Sequence, residues 1–306
     1  MTSADRNKPS KMHEGEPDID VDLVRRLLAA QFPEWADLPL ERYPSGGTVN
    51  AIYRLGENMS VRLPLNPGWV WHLESESMWL PKLAPQLPVG VPAVLGRGAP
   101  GEGYLFEWSV FGWLEGETWT VDRLRDEHEA AADLTNFISA LWKIDTTGGQ
   151  RPRRASKIPL PAFDQWVRES IEGARDMVDA EALSAAWKLA LTAPEFDGTP
   201  VWTHSDLGPA NVLVANGRMS AVIDWGNVHI GDPARDISVA WSMLSRENRN
   251  TFRATLDVDD ATWARARGWA IRAVGAIPYY RETNRSMVDD ALHTIGEVLA
   301  DLERGD

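Results

Sequence analysis

The chain has 306 residues, 43% of them hydrophobic and 25% charged, which is enough for two lobes with a sizeable buried core. Its formal net charge of −14 argues against nucleic acid or an anionic membrane as partner, because binding a polyanion requires a basic patch that releases counterions. It contains no cysteine and only six histidines, so disulfides and a thiolate nucleophile are excluded and a structural zinc site is not expected.

The polar stretch from Met1 to about Pro17 lacks an apolar segment. Residues 1–18 are therefore expected to form a disordered tail and not a signal peptide. No apolar run approaches the ~20 residues needed to cross a bilayer, and a cytoplasmic location is expected. Asp20 or Asp22 then caps an expected helix with Val24, Leu27, Leu28 and Phe32 at helical spacing, ending before Pro33. The run from Ser45 through Leu55 reads as a glycine turn leading into an alternating strand, and Gly56-Glu57-Asn58 turns it into a second strand, Ser60 to Leu63. A glycine turn followed by two strands with a central cation is what a nucleotide cradle requires, with backbone N–H groups over the phosphates and a fixed positive charge beside them. Gly46, Gly47 and Asn50 are the expected cradle, and Arg62 the expected cation.

Kinases place Lys at that position, but Lys82 comes too late, on the following helix. The planar fork of Arg reaches α/β-phosphates but is not interchangeable with Lys. A helix over about His72 to Ala84 offers Glu76 as the orienting partner of Arg62, with Glu74 as the rival. A Pro/Gly-rich loop is expected from Val89 to Gly103, then an aromatic strand from Tyr104 to Leu114 that reads as a hinge. Val110 and Trp113 are its expected nucleotide contacts.

Residues 121–142 read as a long helix with Leu124, Ala131, Leu134, Ile138 and Leu141 on one face. Gly148, Gly149, Arg151, Arg153, Arg154 and Lys157 then form a basic run in the loop Thr146 to Pro159, ordinarily a solvated loop. Helices near Phe163 to Met177 and Glu181 to Ala193 precede the strand Val201-Trp202-Thr203. That strand delivers His204-Ser205-Asp206, with Asn211 five positions beyond the Asp. This is the H-x-D-x-x-x-x-N spacing at which an Asp takes a hydroxyl proton and an Asn oxygen holds Mg²⁺. Strands Val212 to Val214 and Ser220 to Ile223, joined by an Asn216-Gly217 turn, bring Asp224 back beside Asn211 as a second Mg²⁺ ligand, with Leu213 and Ile223 as apolar nucleotide contacts. Pro233 starts a helix continued by Asp236, Val239, Ala240 and Leu244. Helices over Thr262 to Tyr280 and Met287 to Arg304 close the chain. Tyr279, Tyr280, Arg281 and Glu282 are candidates either for a substrate pocket or for core packing.

At His204-Ser205-Asp206 to Asn211, Ile223-Asp224-Trp225 and Gly231-Asp232-Pro233-Ala234-Arg235-Asp236, the chain resembles the aminoglycoside/macrolide phosphotransferase family. The resemblance covers about residues 40–290. It implies an α+β, bilobal, protein-kinase-like fold, with a small β-rich lobe (19–113) and a larger, mostly helical lobe (114–306). It also implies Asp206 as catalytic base, Asn211 and Asp224 as Mg²⁺ ligands, and Asp236 as a buried acid supporting the catalytic loop. Ser205 departs from the family's Gly and loses glycine's freedom at positive φ. The expected reaction is transfer of the γ-phosphate of ATP or GTP to a small-molecule hydroxyl, of an aminoglycoside or macrolide, or of a metabolite such as choline, homoserine or a sugar. A nucleotide-binding pseudokinase is the rival of another class. The few residues from Asp224 to Gly231 leave almost no room for a phosphorylated activation loop.

Overall fold

A computed structural model describes residues 17–44, 49–149 and 159–304. The chain divides into two compact units, one running to Ser77 and resuming over Ala93–Trp113, the other comprising Met78–Pro92 and the chain from Leu114 onward.

The first unit is an antiparallel sheet with a helix on one face. Helix α1 (Val21–Gln31) is capped by Asp20, whose side chain accepts from the Leu23 amide at 2.8 Å, so Asp20 and not Asp22 is the cap. Strands β1 (Leu40–Arg42), β2 (Asn50–Leu55), β3 (Met59–Pro64), β4 (Val94–Gly98) and β5 (Trp108–Gly112) form a sheet in the order β1-β2-β3-β5-β4. Helix α2 (Val70–Leu83) follows β3. Side chains alternate across a strand. Ala51, Tyr53 and Leu55 of β2, Val61 and Leu63 of β3, and Val110 of β5 therefore pack with Leu23, Val24, Leu27 and Leu28 of α1 in one core. Each large aliphatic group buried there contributes ~1.5–3 kcal/mol relative to exposure.

The expected loop from Val89 to Gly103 contains β4. Its glycines hide a strand because they make room for rings: a Cβ on Gly96 would meet Phe32 at 2.8 Å, and one on Gly98 would meet Trp108 at 2.0 Å. The expected strand from Tyr104 contracts to β5, since Tyr104 instead buries its ring and donates its hydroxyl to the Pro64 carbonyl at 2.7 Å.

The second unit is mostly helical. After β6 (Glu117–Thr118) comes α3 (Glu127–Lys143), which starts six residues later than expected because Asp126 takes the cap, accepting from the amides of His128 and Glu129. Helices α4 (Asp164–Gly173) and α5 (Ala180–Ala190) lead to β7 (Val201–Thr203). The hairpin of β8 (Val212–Ala215) and β9 (Arg218–Val222) follows. Its turn residues, Asn216 at φ 53° and Gly217 at φ 78°, both adopt the left-handed region that a tight hairpin requires. Strand β10 (His229–Gly231) pairs antiparallel with β7, and β6, β8 and β9 form a three-stranded sheet in that order.

The helix expected from Pro233 is two short ones, α6 (Ala234–Ile237) and α7 (Ala240–Met243), followed by α8 (Arg246–Thr255). The helix expected from Thr262 to Tyr280 is α9 (Asp260–Ile271) and α10 (Ala276–Tyr280), separated by a 3₁₀ turn at Arg272–Gly275, and α11 (Arg285–Glu303) ends the chain. No helix among the described residues is long and apolar enough to cross a membrane.

Candidate active site

Strand β7 ends where the loop His204–Asn211 begins, and the loop is fixed from beneath by one remote carboxylate. Asp236, on α6 and fully buried, accepts from the His204 amide at 2.8 Å and the Ser205 amide at 2.7 Å. Burial pushes the Asp236 carboxyl up to about 6, opposed by those two amides and by Arg235. His204 is also fully buried, and desolvation lowers its pKa to about 4, so the ring is neutral near pH 7. Its Nδ1 accepts from the Asp206 amide at 3.3 Å, which assigns the proton to Nε2, donating to the Ile223 carbonyl at 3.0 Å.

Ser205 sits at φ 68°, the conformation for which glycine is the usual choice. Its side chain offsets the strain. The Ser205 hydroxyl lies 2.7 Å from Thr203 Oγ1 and 2.9 Å from His229 Nδ1, Nδ1 lies 2.9 Å from the Asn227 carbonyl, and Thr203 donates to the His229 carbonyl at 3.2 Å. Burial holds His229 neutral as well, with its pKa lowered to about 4.

With the backbone so fixed, the Asp206 carboxylate keeps access to solvent in densely packed surroundings. Desolvation and then the neighbouring Asp224 charge push it up to about 6, against Arg235, Asn211 and Arg272. Asn211 donates from Nδ2 to the Asp206 carbonyl at 2.8 Å. Its own carbonyl accepts from the Ile223 amide at 2.9 Å, so Asp224 follows directly, in the left-handed region at φ 62°. The structure therefore brings Asp206, Asn211, Ile223 and Asp224 together. Leu213 is buried on β8, paired with Ala221.

The amide nitrogen of Asn211 is committed to the Asp206 carbonyl, which leaves Oδ1 as the acceptor of that side chain, and the Ile223–Asn211 backbone bond sets Asp224 one residue away. One amide oxygen and one carboxylate suit Mg²⁺, which keeps several waters and substrate phosphates and takes few protein ligands. No cluster of three or more His, Cys, Asp or Glu able to hold a metal occurs among the described residues.

In the first unit, Arg62 on β3 meets Glu76 of α2 at 3.3 Å, with 12% and 3% of the two side chains exposed, whereas Glu74 is exposed. Its guanidinium lies 4.4 Å from the Phe111 ring centroid. Ile52 pairs with Arg62 across the ladder, so Asn50, two residues earlier on β2, shares that face. Val110 pairs with Val61, on the other face, and is fully buried against α1. It is a core residue, which corrects the expectation of a nucleotide contact. Trp113 is half-buried, stacked under Arg54 at 3.8 Å and edge-on to Tyr43. Gly46, Gly47 and the basic residues Arg151, Arg153, Arg154 and Lys157 lie outside the described residues.

Two groups close to Asp206 escape sequence reasoning. Arg235 lies over the Trp269 ring at 4.5 Å, and Arg272 lies over Phe163 at 3.8 Å, with Trp269 at 4.9 Å and Trp166 at 5.5 Å. The available signal was spacing: Phe163 and Trp166, and Trp269 and Arg272, are each three apart, the separation of neighbours on a helix face. Tyr279 and Tyr280 line an open groove of about 520 Å³ with Trp166, Ser170, Gly275 and Pro278, while Arg281 turns to Asp176 at 2.8 Å.

The profile of the "Phosphotransferase enzyme family" matches residues 41–269. Viomycin phosphotransferase of Streptomyces vinaceus is 31% identical over 135 residues, 41% of this chain and 46% of its own. Hygromycin-B 4-O-kinase of Escherichia coli is 36% identical over 63 residues, 21% of this chain and 18% of its own. The chain thus spans less than half the length of the curated relatives it matches. The GDP complex of wild-type aminoglycoside 2'-phosphotransferase-IIIa superposes with a TM-score of 0.67 at 18% identity, covering 93% of this chain and 100% of that one. The macrolide 2'-phosphotransferase MphH of Brachybacterium faecium gives 0.59 at 21% identity, over 90% and 97%. At these identities the structural likeness is one of fold, and it is the bilobal kinase-like fold expected from the sequence.

Proposed function

This chain belongs to the phosphotransferase enzyme family, and on that premise we propose that it transfers the γ-phosphoryl group of ATP or GTP to a hydroxyl of a small molecule. In this reading residues 19–113 hold the nucleotide, residues 114–306 carry the base and the acceptor, and the reaction runs in the cytoplasm. The observation that carries it is the Asp206–Asn211 loop: one carboxylate open to solvent while the amides of His204, Ser205 and Asp206 and the Asp206 carbonyl are tied down, with Asn211 and Asp224 brought to it.

The acceptor oxygen forms a bond to the γ-phosphorus, the bond from that phosphorus to the bridging oxygen breaks, and a nucleoside diphosphate leaves. The proton of the acceptor hydroxyl passes to Asp206, a general-base contribution of typically ~10²–10⁴-fold. Asn211 and Asp224 would hold Mg²⁺, which when bound neutralises charge on the phosphate oxygens. Arg62, oriented by Glu76, would hold the nucleotide phosphates, with Asn50 on the same sheet face. Gly46 and Gly47 would supply backbone donors, and Trp113, Leu213 and Ile223 apolar contact with the nucleotide.

The names of the relatives supply antibiotics as candidate acceptors, and hydroxylated metabolites are the alternative. The deciding experiment measures nucleoside-diphosphate release by purified protein with ATP and GTP across a panel of antibiotics and metabolites. Asp206→Ala should lose turnover and keep nucleotide binding. Near-wild-type turnover in that variant overturns the role of Asp206.

A further inference from the structure

The chain carries a formal charge of −14, yet the charges around Asp206 include two guanidinium groups that are bonded to no acid. Among the described residues, no ion pair or side-chain hydrogen bond engages the guanidinium of Arg235 or of Arg272, and Arg272 Nε is buried without a partner. Asp206 acts on both guanidinium groups and Asp236 on Arg235, but neither carboxylate bonds to them. Asp232 is bound to Arg265 at 2.7 Å, and Asp236 accepts the two loop amides. What holds the two cations is aromatic: Trp269 lies within 5 Å of both guanidinium groups, and Phe163 lies 3.8 Å from Arg272. Ring faces offset part of the cost of taking a cation out of water, but they do not satisfy its N–H donors.

Position indicates what these donors are for. Both guanidinium groups act electrostatically on the Asp206 carboxylate, and Arg235 directly precedes Asp236, whose carboxylate fixes the two loop amides before Asp206. Trp166 links them to open space. Its ring lies 5.5 Å from Arg272, covers Gly275 so closely that a Cβ there would meet it at 2.2 Å, and forms a wall of the groove of about 520 Å³.

We propose that Arg235 and Arg272 are the anion-recognising part of the acceptor site, so that the hydroxyl substrate of this enzyme carries anionic oxygens, as a carboxylate or phosphate, and an apolar body that lies on Trp166. The proposal rests on the phosphotransfer reading above and narrows it. Two guanidinium groups near the base, neither bonded to an acid, offer N–H donors to an anion and none to a polycation such as kanamycin.

The test uses the whole chain and has two arms. Without nucleotide, calorimetric titration compares benzoate and phenyl phosphate with neutral benzamide and benzyl alcohol. The anions should bind at least tenfold tighter than the neutral probes, and Arg235→Gln and Arg272→Gln should each remove that preference. Arg235→Lys should keep part of it, and Arg62→Gln should leave it intact. Equal binding of charged and neutral probes, or a preference that vanishes in Arg62→Gln and survives in both folded arginine variants, overturns the proposal. Because Arg272 packs among three rings, melting curves check its variant. The wild-type charge preference and the Arg235 variants decide the matter even if Arg272→Gln does not fold.

In the second arm, with Mg²⁺ and nucleotide, nucleoside-diphosphate release is compared for hydroxy acids, their amides and kanamycin. Faster release with the acids than with the amides supports the proposal, and faster release with kanamycin than with every acid overturns it. No release with any acceptor would instead sink the phosphotransfer reading, and the first arm would still decide the anion site.

Discussion

The two regions assigned to phosphoryl transfer are built to different tolerances. In the loop from His204 to Asn211, a single buried carboxylate fixes two consecutive amides, a neutral histidine ties the loop to Ile223 just before Asp224, and an asparagine clamps the carbonyl of Asp206. In the first unit, Arg62 rests on a ring and meets its carboxylate at one oxygen, 3.3 Å away. The loop is therefore preorganised by many bonds, whereas the Arg62 guanidinium is held by one ion pair and one ring. Proton acceptance must occur at one geometry, while charge neutralisation falls off gently with distance.

Five substitutions test this contrast in order of falling effect. Asp206→Ala should lower kcat by about 10³-fold with the melting temperature unchanged, because the scaffold does not depend on that carboxylate. A fall in stability matching the fall in rate would mean that the loop is built on the base itself. Asp236→Ala should do the opposite, exposing the scaffold. It leaves two buried amides without acceptors, a loss of ~3 kcal/mol in urea unfolding together with a large loss of rate. Unfolding stability within 0.5 kcal/mol of wild type, a threshold well below the usual cost of a buried unpaired amide, would refute this.

His229 adds a pH signature. Its folded pKa, about 4, lies below the ordinary histidine value of 6.5. The unfolded chain therefore takes up the proton first, and the contribution of His229 to stability, full above pH 6.5, is lost as pH falls toward 4. Relative to wild type, His229→Gln should lose ~2–3 kcal/mol less between pH 7 and 4. Parallel pH profiles for the two proteins would show that the ring charges in place.

On the looser side, Arg62→Ala should weaken nucleotide binding about tenfold with kcat for bound substrate less affected, and Arg62→Lys should restore part of the affinity. Loss confined to kcat would place the cation in the chemical step instead. Smallest is Gly217→Ala at the hairpin turn. The residue sits at φ 78° and its added Cβ would come within 2.7 Å of Arg125, so about 1 kcal/mol of stability should go, with no change in nucleotide affinity.

What could be read in the sequence follows the same divide. Local rules with a single physical cause were legible: an aspartate cap at 20 or 22, Asn216-Gly217 as a tight turn, the spacing from Asp206 to Asn211, and Glu76 on the helix that meets Arg62. Features that depend on distant partners were not. Strand β4 looked like a loop because Gly96 and Gly98 are there to admit the rings of Phe32 and Trp108. Val110 looked like a hinge contact because alternation indicates that a face exists but not which face α1 covers. Ser205 read as a glycine position with its freedom lost. The bonds from its hydroxyl to Thr203 and His229, which make positive φ tolerable, are visible only once β10 lies beside β7. Arg235 and Arg272 are 37 residues apart in sequence and meet on one tryptophan, a convergence that no local pattern encodes.

The pairing of β10 with β7 has a consequence for control. The segment leaving Asp224 makes one turn at Trp225–Asn227 and is then laddered, residue against residue, to the strand that feeds the catalytic loop, with His229 opposite Thr203 and Gly231 opposite Val201. Chain that is hydrogen-bonded along its length has no slack in which an order–disorder transition could be stored. A throttle of the kind built into activation segments has no place to reside between Asp224 and Gly231.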